Sequence, residues 1–143
     1  MTPALEPVRR IAAYGVCTDD GGRVLLVRAA ASSGTPGAWS LPGGAVSHGE
    51  HPLDTVVRET AAETGLSVAV AGLRDVLADM RALPHRGITI HTDRLIYGVT
   101  VRGGNLCDTP ALEKYMQAVA VVSAPGSALR APRLLEAGRQ VSK

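Results

Sequence analysis

Between Gly43 and Gly65 stand Glu50, then eight residues on Arg58-Glu59, then four residues after Glu59 a further glutamate, Glu63. Pro52 suits the first turn of a helix, where its missing N–H costs nothing. Leu53, Val56, Val57 and Ala61 recur at i, i+3, i+4 and i+8, one helical stripe expected to face a core. Gly65 ends the helix as a left-handed cap. Glu59 and Glu63 then lie one turn apart on one face, with the apolar stripe pointing the other way. Carboxylates held so closely repel unless a cation is shared between them, and oxygen-only ligands favour Mg2+ or Mn2+ over zinc. A hard cation held there neutralises charge developing on a bound oxyanion and can activate a water.

The rest of the chain reads mainly as strands. Arg10 to Thr18 is followed by Asp19-Asp20-Gly21-Gly22, a strong turn signal, and Arg23 to Arg28 is the expected partner in a hairpin. Ala29 to Gly37 is a loop, Trp39 to Leu41 a short extended piece, and Gly43-Gly44 opens a loop running to about His51. Leu66 to Leu73 and Val76 to Leu83 carry strand signals, Gly87 to Val101 is a long β-branched strand, and Tyr115 to Ser123 a short one. Ala131 to Val141 suggests a final short helix with Leu134 and Leu135 facing inward. Strands, helix, strands, helix make a mixed sheet covered by helices, an α/β or α+β arrangement.

The stretch LPGGAVSHGEHPLDTVVRETAAETGL resembles the Nudix box, G-x5-E-x7-R-E-U-x-E-E-x-G-U, where U is bulky and apolar. Gly44, Glu50, Arg58, Glu59, Glu63 and Gly65 stand at the fixed positions, and Leu66 fills the last apolar one. The lead-in Trp39 to Gly43, the strands before it and the long strand after it also look like that family. The resemblance therefore spans essentially the whole chain, 1–143 as a single domain, and implies a Nudix-type α/β/α sandwich with a mixed central sheet. It also implies that Glu50 and Arg58 brace the loop and orient the metal carboxylates, and that the basic Arg28 meets substrate phosphate.

The departure from the pattern is Ala62, where the family has a second adjacent glutamate. The missing carboxylate falls in the expected metal site. Family members often supply another glutamate from a late loop, which makes Glu113 a candidate third ligand; a plain surface glutamate is the competing reading. Thr60 replaces an apolar residue, a milder change attributed to local packing. His48 and His51, in the box loop, are read as exposed rather than ligating. His91 and Asp93 share one face of the long strand at i, i+2; they form an acid–base pair if that face lines the cleft, and His91 is otherwise a hydrogen-bonded strand histidine. Gly43 and Gly44 either admit the backbone of a ligand-binding loop or simply make a tight turn.

Composition narrows the partners. The 143 residues are 45% hydrophobic and 20% charged, as in soluble globular proteins, and a chain of this size buries roughly two-thirds of its unfolded surface. A net charge of +2 gives no general case for a nucleic-acid polymer. Of the basic residues only Lys114 and Lys143 are lysines; arginine suits carboxylate and phosphate, although codon bias explains the excess as well. Cys17 and Cys107 form no zinc or redox spacing. No apolar run suggests a signal peptide or a membrane span, so a cytoplasmic protein is expected, and a homodimer is compatible with the sequence. The only aromatic residues are Tyr14, Trp39, Tyr97 and Tyr115, which leaves Tyr97 among few candidates to stack on a nucleobase.

These observations lead to an expected Mg2+-dependent (or Mn2+-dependent) hydrolase of a diphosphate linkage in a small molecule, a nucleoside diphosphate derivative. Glu59 and Glu63 hold metal, with Glu50 and Arg58 completing the catalytic set and Arg28, Gly43, Gly44, His91 and Tyr97 meeting substrate. Two alternatives stay open: a Nudix-fold enzyme turned to a non-hydrolytic biosynthetic step, and a ligand-binding module without turnover.

Overall fold

The structure, a computed structural model, describes residues 3–29 and 37–106 and the backbone of 116–123. Its elements are β1 (Glu6–Cys17), β2 (Arg23–Ala29), β3 (Trp39–Ser40), β4 (Gly43–Ala45), α1 (Pro52–Thr64), β5 (Leu66–Leu83), β6 (Ile88–Gly104) and β7 (Met116–Ser123). A 3-10 turn, Pro84–Arg86, joins β5 to β6. The expected helix at 131–141 and the candidates Glu113 and Tyr115 lie outside the described residues.

The strands form two sheets, ordered β4-β1-β6-β5 and β3-β2-β7. The first is mixed, as expected: β1 runs parallel to β6 from Glu6↔Ile88 to Cys17↔Val99, whereas β4 and β5 pair antiparallel. The β1–β2 hairpin does not form. Asp19 makes the expected turn, its Oδ1 accepting from the N–H groups of Gly21 and Arg23, but only Thr18 and Val24 bridge the two strands. β4 and β6 already occupy the two edges of β1, so β2 leaves to build the second sheet. Gly43-Gly44 is correspondingly strand rather than loop, with Tyr14↔Gly43, Ala13↔Gly44 and Ala12↔Ala45 in register. The two strand signals at 66–83 fuse into one strand whose register shifts at Ser67/Val68, Val70/Gly72 and Leu73/Asp75, bulges that absorb the interruption.

Two apolar clusters cover the two faces of the mixed sheet. Ala13, Tyr97, Val99 and Val68 pack with Val56 of α1. On the opposite face Val16 and Ile96 pack with Val24, Leu26, Trp39 and Leu41 of the second sheet. Strand alternation therefore places β1 residues Arg10, Tyr14 and Val16 on the face away from α1, together with Thr92, Arg94 and Ile96 of β6.

The helix has its expected ends but only part of its expected inner face: Val56 is buried and Val57 packs against the core. His51 is the N-cap, its Nδ1 accepting from the Leu53 N–H at 3.0 Å. Gly65 caps the C-terminus at φ 80°, donating its N–H to the Ala61 carbonyl. The buried residues are Thr55, Val56, Thr60, Glu63 and Thr64, whereas Leu53 is 37% exposed and Ala61 is exposed. Threonine can take core positions because its hydroxyl can bond within the helix: Thr64 Oγ1 donates to the Thr60 carbonyl at 2.6 Å and accepts from Leu66 N–H at 3.1 Å.

Candidate active site

The loop before the helix is folded around one carboxylate. Glu50, its side chain 18% exposed, accepts from Arg58 Nε (2.9 Å) and Nη2 (3.0 Å), from Thr55 Oγ1 (2.6 Å) and from the Ser47 N–H (3.2 Å). The forked guanidinium–carboxylate pair fixes direction as well as distance. Chiefly the Arg58 hydrogen bonds, and then that of Thr55, bring the Glu50 carboxyl down to about 2. The bonds to Glu50, then to Glu59, push the Arg58 guanidinium above its ordinary value. The expected Glu50–Arg58 pair thus exists, and Thr55 is a third member that the motif does not mark.

Arg58 also reaches forward, donating from Nη1 to Glu59 Oε1 at 2.6 Å. Glu59 Oε2 takes no hydrogen bond among the described residues. Beside it runs the Gly43-Gly44 strand: a Cβ on Gly44 would sit 3.3 Å from Glu59 Cδ. Glu63 approaches the same strand from within, 1% exposed, its Oε1 accepting from the Gly43 N–H at 2.9 Å. The acids were expected on a face opposite the buried one. Glu63 instead lies on the buried face, because the inner arc of the helix passes through Val56, Thr60 and Glu63, at i, i+4 and i+7. Gly43 has φ 150°, and a Cβ there would collide with the Ala13 carbonyl and the Tyr14 ring. Glycine is therefore required for β4 to lie this close to β1.

Arg28, Tyr97 and His91 each have other neighbours. Arg28 lies over Trp39, its Cζ 6.0 Å from the ring centroid. Tyr97 is 7% exposed in the cluster beneath α1, so it is a packing residue rather than a stacking platform. His91 Nε2 and Asp93 Oδ1 are 3.0 Å apart, and Asp93 Oδ2 accepts from Arg9 Nε at 3.0 Å. The bond from Arg9, then that from His91, holds the Asp93 carboxyl below its ordinary range. His91 and Asp93 are thus hydrogen-bonded to each other where β6 runs beside Arg9 of β1. His48 is exposed. Ala62 is half-buried, and no three Asp, Glu, His or Cys residues cluster as metal ligands among the described residues.

A family model for the NUDIX domain matches residues 8–112. The chain belongs to the Nudix family. Membership places it among pyrophosphohydrolases as a class. The fold agrees with solved structures of low identity. A MutT Nudix hydrolase from Burkholderia pseudomallei is 23% identical over 90% of this chain and 97% of its own, at a TM-score of 0.67. The MutT protein from Methanosarcina mazei Go1 is 22% identical over 98% and 99%, at 0.66. An ADP-ribose pyrophosphatase from Streptococcus suis is 21% identical over 91% and 92%, at 0.62. The box residues Glu50, Arg58, Glu59 and Glu63 are those with the dense contacts above, although sequence reasoning missed Tyr14. Tyr14 packs on Gly43 and is joined to Arg94, 80 residues away, by a 2.6 Å hydrogen bond; no local spacing signals such a partner.

Proposed function

We propose that this protein hydrolyses the diphosphate linkage of a nucleoside diphosphate derivative, using Mg2+ held by Glu59 and Glu63. The observation that supports it is the meeting of two glutamates on one two-residue backbone stretch, Glu63 on the Gly43 N–H and Glu59 against Gly44. Mg2+ is suited to such a donor set, since it is commonly held by one or two carboxylates, waters and substrate phosphates. When bound, the ion supplies positive charge to the diphosphate oxygens. Glu59 orients or deprotonates the attacking water through Oε2, the oxygen that Arg58 does not engage. Arg58 and Glu50 are positioning residues that fix Glu59 in that attitude. Gly43 and Gly44 give the substrate close access to the backbone, and Arg28 contacts phosphate. A non-hydrolytic reaction is the second reading, favoured by Ala62, which leaves the arc beside Glu59 and Glu63 one carboxylate short of the family pattern.

The test is turnover of a panel of diphosphates (ADP-ribose, UDP-glucose, nucleoside triphosphates) followed by phosphorus NMR while Mg2+ is titrated. Wild type should cleave at least one member in a metal-dependent way. It should also gain thermal stability from the metal, by about 2.7 kcal/mol at a hundred times the dissociation constant. The E59Q/E63Q variant should lose both while keeping its circular dichroism. A metal shift that survives the double change, or a panel left uncleaved at saturating metal, overturns the proposal. Conversion of a diphosphate without phosphate-bond cleavage supports the second reading.

A further inference from the structure

On the face of the mixed sheet away from α1, strands β1, β6 and β5 enclose a cavity of about 100 Å³ lined by Arg10, Asp79, Arg81, Thr92 and Arg94, with Leu83 and Ile90. Its charges are unbalanced. Arg94, 21% exposed, is fixed by Asp79 through Nε and by the Tyr14 hydroxyl through Nη1, and its guanidinium carbon lies 5.5 Å from the Tyr14 ring centroid. That pairing uses the only acid among the described lining residues. Arg10 and Arg81, both exposed, make no hydrogen bond or ion pair among the described residues, so two unpaired arginines line one small space.

We infer that this cavity is an oxyanion subsite formed by Arg10, Arg81 and Arg94, so that the substrate bears a phosphate or carboxylate on its part remote from the cleaved bond. Guanidinium groups recognise both anions through paired hydrogen bonds. The cavity is far below the roughly 300 Å³ of a pocket for a whole ligand, so it suits one anionic group rather than a base. Its link to the carboxylates is structural. Tyr14 touches Gly43, which donates to Glu63, and Arg10 is four residues along the same strand, roughly 13 Å. One diphosphate-linked molecule must therefore pass around the β4 edge of the mixed sheet to reach both places. The substrate statement rests on the proposed hydrolase reading; the anion site itself does not.

The experiment has two arms, using wild type, R10S/R81S and E59Q/E63Q. First, inorganic phosphate and glucuronate are titrated separately into metal-free protein in chelator, and binding is read by calorimetry and by amide shifts. At least one should bind wild type saturably and bind E59Q/E63Q equally. R10S/R81S should bind at least tenfold more weakly, its thermal midpoint confirming that it folds. Binding of phosphate over glucuronate assigns a phosphorylated remote end, and the reverse a carboxylate. No saturable binding of either, or binding unchanged in R10S/R81S, overturns the site. Second, kcat/KM is compared for UDP-glucuronate and UDP-glucose, which differ by one carboxylate. If that carboxylate is the anion recognised, the acidic member should be preferred about tenfold and R10S/R81S should bring the ratio towards one. If phosphate is recognised, the same comparison is made with NADPH and NADH, which differ by one phosphate. An equal ratio in the relevant pair overturns the substrate statement. Absence of turnover alongside intact anion binding defeats only the hydrolase reading.

Discussion

The two ends of α1 hold their acids by opposite means. At the N-terminal end, Glu50 and Arg58 are joined on the solvent side by a fork of hydrogen bonds, with Thr55 and Ser47 completing the carboxylate's partners. At the C-terminal end, Glu63 is 1% exposed among Thr60, Thr64 and the glycine strand, and Gly43 N–H binds its Oε1. Glu59 lies between, taking its orientation from Arg58 on one side and its contact with Gly44 on the other. Charge pairing in water is adjustable and weak unless its geometry is forked or networked, whereas a buried carboxylate is held by everything packed around it. Of the two acids proposed to hold metal, one is therefore set by burial and the other by a surface network that mutation can release.

The largest effect that separates the two ends should come from Arg58→Ala. It removes the fork and the bond to Glu59 together while leaving Glu63 and its glycine contact in place. A misplacement of about 1 Å can cost on the order of a hundredfold in rate. We expect kcat to fall by about that factor with KM less affected, and the thermal midpoint to fall as well at neutral pH, because the change also removes the main partner of the Glu50 carboxylate. Steady-state kinetics on any diphosphate that is cleaved measures this. A variant of ordinary rate would mean that Glu59 does not depend on the network.

Why one end was legible in the sequence and the other was not follows from the range of the interactions. Pro52, Gly65 and the Glu50–Arg58 spacing act within a turn or two of the chain, and each is where it was expected. The buried face was misread because Thr55, Thr60 and Thr64 are polar by type, so the apolar pattern pointed to Leu53 and Ala61 instead. Pairing between sheets is non-local: nothing in Asp19 to Gly22 says that both edges of β1 will be taken. Tyr97 was read by its ring, whereas its place in β6 points it under the helix. His51 offered no ligand geometry and proved to be a helix cap.

A smaller, pH-dependent effect tests the surface end alone. The Glu50 carboxyl is lowered from 4.5 to about 2 in the fold. A depressed acid contributes stability that is present above its unfolded value and is lost as pH falls through the folded one. The contribution should thus be complete above 4.5 and decline towards about 2. In Glu50→Gln, thermal midpoints should lie below wild type at neutral pH, and the gap should narrow as pH is lowered across that window. A gap that is constant with pH would assign the stabilisation to shape rather than to charge.

The smallest effect on stability, and the one that bears most on chemistry, belongs to Ala62→Glu. Ala62 is half-buried beside the two acids, so the change should cost little, near the roughly 0.5 kcal/mol typical of surface positions. If the protein is a hydrolase with a reduced ligand set, a third carboxylate should tighten Mg2+ and raise hydrolysis several-fold. The new charge also repels Glu59 and Glu63, so without metal the variant should be the less stable form, and Mg2+ should raise its thermal midpoint by more than that of wild type. If the site serves another reaction, the glutamate fills space that a substrate group needs, and native turnover falls. Turnover of both proteins on one diphosphate panel, with Mg2+ varied, separates these outcomes. No gain in hydrolysis at saturating metal would show that Ala62 is not the limit on this site, and that the network at the other end of the helix, or the substrate tested, is where the rate is decided.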